Sequence, residues 1–136
     1  MADDVAMTAW LADFLARHGG TSGTVHLVDG DVLRLVAAIN IPPPVRAVTT
    51  VIPRGKGMAG LAWERAHPLS TCNLQTDATG DIRPGARAVA AAAAIAFPLG
   101  APVAAIVGIA WPDDRTLDDA TTLALIEDAG DDFPAA

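Results

Sequence analysis

The most informative stretch of this chain is residues 53–77, PRGKGMAGLAWERAHPLSTCNLQTD. A turn with two glycines and two cations opens it, and the apolar spacing that follows predicts a helix over residues 57–66. Pro68 ends that helix, because the residue before a proline is pushed out of the helical conformation. A short strand with a polar end is predicted next, over residues 69–74. The helix side chains predicted to be buried are Met58, Leu61 and Ala62.

This order of turn, helix and strand resembles the central signature of GAF domains. The positions that match are Gly57, Gly60, His67-Pro68-Leu69, Asn73 and Asp77. The resemblance implies an α/β (α+β) fold with a central antiparallel β-sheet. It places the terminal helices on one face of that sheet and a lid helix plus a loop on the other. PAS domains share this layout, so a PAS-like fold is the alternative.

The first part of the chain predicts a helix followed by a β-hairpin. Apolar residues at helical spacing precede Gly19-Gly20, where a helix should end. Two β-rich runs, residues 24–28 and 32–39, then flank Asp29-Gly30, which is a strong hairpin signal. The apolar stripe of the helix consists of Met7, Trp10, Leu11, Phe14 and Leu15.

The second hairpin strand is apolar on both sides, which requires cover on both faces of the sheet. Strict alternation predicts that Leu33, Leu35, Ala37 and Ile39 point one way and that Val32, Val36 and Ala38 point the other. His26, on the first hairpin strand, is interpreted as a hydrogen-bonded structural histidine.

A run of three prolines, Pro42-Pro43-Pro44, predicts a stiff extended connection after the hairpin, because proline donates no ladder hydrogen bond. A β-branched strand over residues 48–52 is expected to follow it. Beyond the GAF-like stretch, residues 75–87 are predicted to form a polar surface loop.

The last third of the chain predicts two strands and a helix. The strands are expected over residues 89–97 and 103–111. Thr116-Leu-Asp-Asp119 resembles a capping box, which predicts the start of a helix. The apolar residues of that helix are Leu123, Ile126 and Phe133.

Length and composition indicate one domain over residues 1–136, with 51% hydrophobic residues for a core. The formal net charge of −7 argues against a nucleic-acid partner, because phosphates are bound by clustered cations. With a single cysteine no intramolecular disulfide can form, which favours a reduced, cytoplasmic setting, and the first residues lack the features of a signal peptide. Residues 88–112 are uncharged, but a Pro-Leu-Gly-Ala-Pro turn divides them, so no membrane contact is expected.

Cys72 is the only cysteine and the one weak candidate for catalysis. One branch of the GAF family, the free methionine-R-sulfoxide reductases, uses a cysteine nucleophile and a second, resolving cysteine. This chain has no second cysteine, so an enzyme is not favoured. No spacing of His, Cys and carboxylates predicts a metal site, and the identity of any cofactor stays open.

The turn before the predicted lid helix is a candidate anion site. Arg54, Lys56 and Gly57 combine two cations with a helix start, where backbone N–H groups and the helix dipole favour negative charge. The alternative is an ordinary glycine turn with exposed cations.

Four further residues are candidates for contact with a small molecule. In similar domains the strand end and loop that hold Asn73, Asp77 and Arg83 border the pocket. Trp63, on the lid helix, is a candidate pocket wall. The alternatives are local backbone hydrogen bonds for the polar residues and core packing for the indole.

The resemblance implies a sensory or regulatory domain that binds an unidentified small molecule and signals through a partner protein or by homodimerisation. The apolar positions expected to contribute to a dimer of terminal helices are Leu11, Phe14, Leu123 and Ile126. Small side chains in residues 88–96 leave room for a cavity or for close helix packing. An interaction module without a ligand is therefore the alternative, followed by a reductase-like enzyme.

Overall fold

The computed structural model of this protein describes residues 4–71 and 91–134. The elements in chain order are α1 (Val5–His18), β1 (Ser22–Asp29), β2 (Val32–Ile39), α2 (Pro43–Thr49), β3 (Val51–Pro53), α3 (Gly57–Arg65), β4 (Leu69–Thr71), β5 (Ala94–Leu99), β6 (Ala105–Ala110) and α4 (Asp119–Asp132). The strands of these ranges form one antiparallel sheet in the order β3-β2-β1-β6-β5-β4. This arrangement confirms the predicted central antiparallel sheet.

Helix α1 forms where the sequence predicted it, because both of its ends are capped. The Asp4 carboxylate accepts a hydrogen bond from the Met7 N–H at the first turn. Gly19 adopts a left-handed conformation with φ of 71° and donates its N–H to the Leu15 carbonyl. All five residues of the predicted apolar stripe are buried, so this helix is confirmed.

The terminal helices α1 and α4 share one face of the sheet. Phe14 of α1 and Leu125 of α4 belong to the same core as Phe97, Val107 and Trp111. Polar contacts join the two helices at their edge, where Trp10 Nε1 donates to Asp132 Oδ1 over 2.9 Å and Arg17 pairs with Asp128 over 3.0 Å. The predicted position of the terminal helices is therefore correct.

The β1–β2 hairpin is confirmed, but strict alternation along β2 is wrong. The register shifts between Val25 and His26, which pair with Ala37 and Leu35, so one extra residue lies in β2. An extra residue reverses the alternation of faces beyond it. Leu33 therefore packs with the α3 side of the sheet, whereas Ala37 packs with the α1 side.

The proline run begins a helix instead of an extended connection. Helix α2 starts at Pro43, since a helix needs no hydrogen bonds from the N–H groups of its first turn and proline has none to lose. The strand predicted over residues 48–52 is correspondingly displaced to Val51–Pro53.

Helix α3 confirms the predicted lid helix, with a different buried face. Its buried residues are Gly60, Ala62 and Trp63, whereas Met58 and Leu61 are half-buried. Strands β5 and β6 confirm that the uncharged segment forms two strands, but β5 begins at Ala94 instead of residue 89 and ends at Leu99, and β6 is confined to Ala105–Ala110. The predicted loop over residues 75–87 lies outside the described ranges.

Helix α4 begins later than the capping-box prediction. Asp118, not Thr116, is the N-cap, and its carboxylate accepts a hydrogen bond from the Thr121 N–H over 2.8 Å. Hydrogen bonding to the Thr121 side chain, and next to it the bond from the Thr121 N–H, lowers the pKa of Asp118 below its ordinary value. Across residues 4–71 and 91–134, no helix reaches the length and apolar character that crossing a bilayer requires.

A close backbone approach fixes the start of α3. The Gly55 N–H donates to the Gly60 carbonyl over 2.9 Å, and a Cβ atom added to Gly60 would lie 2.7 Å from the Pro53 carbonyl oxygen. Only glycine fits at residue 60 without moving this turn.

We predict that Gly60→Ala lowers the free energy of unfolding by about 1–3 kcal/mol, because the added methyl group collides with backbone. Gly130→Ala in α4 is the matched control: beyond its own helix turn, a Cβ there meets none of the described residues within 4 Å, so this variant should be unchanged or more stable by about 0.5–1 kcal/mol. Urea denaturation measures both. Equal stability of the two variants would contradict the close approach.

Candidate functional site

A cavity of about 360 Å³ lies between the sheet and helices α2 and α3. Strands β1, β5 and β6 provide its floor, on the opposite face of the sheet from α1 and α4. Val45 and Val48 of α2 and Met58 of α3 contribute to its roof. The site therefore lies under the lid helix that the sequence predicted.

The floor is hollow because its side chains are small. Ala94 and Ala96 of β5 and Gly108 of β6 line the cavity. Their neighbours along the strands are large and face α1 and α4, since successive strand residues point to opposite faces. These large neighbours are Ile95, Phe97, Val107 and Ile109. Residues that fill one face of the sheet thus alternate with residues that leave space on the other.

Ser22 and His26, which line the cavity, each contain a buried polar atom without a hydrogen-bond partner among the described residues. His26 is 2% exposed, and its Nε2 lies 2.8 Å from the Thr49 carbonyl oxygen at the end of α2. Within residues 4–71 and 91–134, neither His26 Nδ1 nor Ser22 Oγ has a hydrogen-bond partner, although both atoms are buried. Buried polar groups normally have hydrogen-bond partners, so these two atoms are exceptions.

Burial also keeps His26 neutral. Desolvation lowers the pKa of His26 below its ordinary value of 6.5, and the hydrogen bond to Thr49 offsets this only in part. Because a carbonyl oxygen can only accept, Nε2 carries the proton in the neutral ring.

Two of the predicted ligand-binding residues line the cavity. Lys56 is the N-cap of α3, and Gly57, with φ of 65°, is its first residue. The N–H groups of the first turn have no acceptor within the helix, so this corner of the cavity carries positive potential.

Arg54 and Trp63 contact each other and lie outside the cavity lining formed by the described residues. The Arg54 guanidinium carbon is 5.0 Å from the centroid of the Trp63 ring, a cation–π geometry. Trp63 is 5% exposed and packs against Leu33 and Ile52. Cys72, Asn73, Asp77 and Arg83 lie outside the described residues.

The sequence analysis did not predict the floor of the cavity or its polar wall. One pattern could have indicated the wall: Ser22, Thr24 and His26 are polar and alternate with other residues along one strand, so they share a face of the sheet. We interpreted His26 as a hydrogen-bonded structural residue. The Thr49 contact confirms that part, and the unpartnered Nδ1 adds to it.

Most of the apolar residues expected at a helical dimer contact are used inside the protein. Leu11 and Phe14 are fully buried, and Ile126 is half-buried against the same core. Leu123 alone of the four is exposed, at 56%. Leu11 and Phe14 therefore do not form a dimer surface.

Side chains that could bind metal do not converge in the described part of the chain. Residues 4–71 and 91–134 contain no group of three or more His, Cys, Asp or Glu residues placed to hold an ion.

Solved structures share this fold at low sequence identity. A GAF domain region of a Geobacter sulfurreducens PCA protein superposes with a TM-score of 0.75 at 15% identity, covering 93% of this chain and 87% of that one. Free methionine-R-sulfoxide reductase from Neisseria meningitidis, in complex with its substrate, gives 0.71 at 20% identity, with coverages of 89% and 70%.

A third similar structure is a Staphylococcus aureus NreA protein mutated in its nitrate binding site, with a TM-score of 0.70, 16% identity and coverages of 90% and 98%. Further GAF domains are among the neighbours. The chain therefore has a GAF-like fold. No family model matches the sequence, and no curated protein is significantly similar to it.

We predict that His26 makes stability depend on pH. Its folded-state pKa is lowered, so the unfolded chain binds the extra proton first, and stability is full above pH 6.5 and falls as the pH drops below that value. Between about pH 7.5 and about pH 5.5, wild type should lose about 1 kcal/mol more than His26→Gln. Denaturant titrations at both pH values measure this, and equal losses would show that His26 is not buried as a neutral ring.

Proposed function

We propose that this protein is a sensory or regulatory domain that binds a small molecule in the cavity between the sheet and helices α2 and α3. The proposal is carried by the hollow floor, where Ala94, Ala96 and Gly108 face a space of about 360 Å³. On the opposite face the same strands are tightly packed. A space of this size, lined mainly by apolar groups with a few polar ones, is typical of small-molecule sites.

The lining defines the character of the ligand. Ile41, Val45, Ile52 and Ile106 form an apolar enclosure, while the polar groups are grouped at the His26 wall and at the start of α3. The ligand in our proposal is a small, largely apolar organic molecule with one or two polar groups.

An acidic group on the ligand would bind beside Lys56 and Gly57, where the ammonium and the first N–H groups of α3 supply positive potential. Arg54 and Trp63 form a cation–π pair beside this turn. In our proposal this pair stabilises the turn. Asn73, Asp77 and Arg83 remain candidates for further ligand contacts.

In our proposal, helices α2 and α3, which form the roof of the cavity, transmit the signal. Helix α2 is only seven residues long, and Val45 is its single buried side chain among the described residues. A ligand that contacts α2 and α3 would bias their position. A partner protein or a second copy of the chain would then bind the altered surface of these two helices.

In this proposal the domain comprises residues 1–136.

An interaction module without a ligand and a reductase are the competing functions. The similarity to the Neisseria meningitidis enzyme favours the reductase hypothesis. However, Cys72 has no second cysteine to resolve an oxidised intermediate within the chain. Consumption of free methionine-R-sulfoxide by wild type and its loss in Cys72→Ser would establish the enzyme instead of the sensor.

We predict that native and denaturing mass spectra of gently purified protein differ by a released small molecule. Ala94→Leu should reduce its occupancy about tenfold, because the added side chain fills part of the cavity. Ala124→Leu, an exposed alanine of α4, is the matched control and should retain the ligand.

Circular dichroism would confirm that both variants are folded. A wild-type protein that releases nothing, and that gains no mass from a metabolite extract, would contradict the sensor and favour the interaction module.

A further inference from the structure

We propose that Thr24 determines ligand specificity, because its hydroxyl forms a hydrogen bond with a hydroxyl or carbonyl group of the ligand at the floor of the cavity. This inference rests on the proposed function, since it assigns a specificity-determining residue to the same cavity. It adds a requirement that the apolar enclosure alone does not impose: the ligand must place a hydrogen-bonding group against strands β1 and β6.

The Thr24 side chain points toward the cavity. Its two neighbours on β1 face the other way: a Cβ atom added to Gly23 would lie 3.1 Å from Leu15 Cδ2 of α1, and Val25 belongs to the core beneath α1 and α4. Successive strand residues point to opposite faces, so Thr24 lies on the side of α2 and α3. Thr24 lines the cavity and is only half-buried, so it retains accessible surface there.

Gly108 shows where the Thr24 hydroxyl lies. The two residues are paired across the neighbouring strands β1 and β6. A Cβ atom added to Gly108 would lie 2.8 Å from Thr24 Oγ1. Apart from its chain neighbours, the one other described atom within 4 Å of that position is the Ile95 carbonyl oxygen, at 4.0 Å. The hydroxyl therefore extends over Gly108, into the space that a side chain at residue 108 would occupy.

The floor around this hydroxyl is apolar. Ala96 is paired with Gly108 on the side away from Thr24. A polar ligand group that reaches this floor loses its hydrogen bonds to water, and the Thr24 hydroxyl can replace one of them. Because a hydroxyl can donate or accept, a ligand hydroxyl and a ligand carbonyl both fit. The other side chains that β5 and β6 direct into the cavity are hydrocarbon: Ala94, Ala96, Ile106 and Ala110.

The test measures the affinities of 2-naphthol and 2-methylnaphthalene by equilibrium dialysis, with protein freed of bound small molecules. The two compounds have nearly the same shape, but only naphthol has a hydroxyl. Thr24→Val keeps the shape of the side chain and removes its hydroxyl. We expect the affinity for naphthol relative to methylnaphthalene to fall about tenfold in Thr24→Val, because the naphthol hydroxyl is then buried without a partner.

A second variant tests the placement of the hydroxyl. The methyl group of Gly108→Ala would collide with Thr24 Oγ1 and displace it, so the relative affinity for naphthol should fall about threefold or more. Gly108→Ala added to Thr24→Val should cause no further fall, since the hydroxyl is already absent. Thr116→Val, at an exposed threonine outside the cavity lining, is the matched control and should leave the relative affinity unchanged.

The outcomes separate this inference from the proposed function. If wild type binds methylnaphthalene alone, or if the relative affinity is the same in wild type and Thr24→Val, the inference is overturned and the sensor is retained. A relative affinity that Gly108→Ala leaves unchanged would contradict the position of the hydroxyl over residue 108. If neither compound binds, the apolar ligand cavity itself is contradicted, and the inference falls with it.

Discussion

The structure depends on the alternation of side-chain size along β5 and β6. Large residues such as Phe97 and Val107 point toward α1 and α4, while Ala96 and Gly108 point the other way. Because neighbouring strand residues face opposite sides, one short segment builds a dense core and a cavity together. A protein interior tolerates few voids, so the hollow face of this sheet contrasts with the dense core on its other face.

The roof over this hollow is held by backbone geometry and by one histidine. Gly60 lets α3 approach the Pro53 carbonyl, and His26 attaches the end of α2 to the sheet. Neither contact fills the cavity. The roof is consequently positioned without being packed onto the floor, which is the condition under which a ligand can contribute to the position of both helices.

Much of the fold could be predicted from local patterns. The stripe of α1, the hairpin and the GAF-like stretch as far as Thr71 each depend on short-range chemistry, and each is found where it was expected. The errors have tertiary causes. The register with β1 leaves Val36 as an extra residue in β2. The start of α2 at Pro43 is a second tertiary effect, because a proline can begin a helix as well as extend a chain.

The candidate site was predicted less completely, because a cavity is a property of several strands at once. Lys56 and Gly57 were recognised from their place before a helix, a local feature. The floor residues are ordinary alanines and glycines in sequence, and only the sheet order brings β1, β6 and β5 side by side. The absence of a partner for His26 Nδ1 among the described residues becomes visible only in the folded structure.

A xenon-pressurised crystal of the protein freed of bound small molecules would test the central claim most directly, because dry apolar cavities take up xenon. We expect a xenon peak between the β5–β6 floor and helices α2 and α3, beside Ala96 and Gly108. A structure without xenon, in which side chains of α2 or α3 rest on Gly108 and His26, would contradict the cavity and the function built on it.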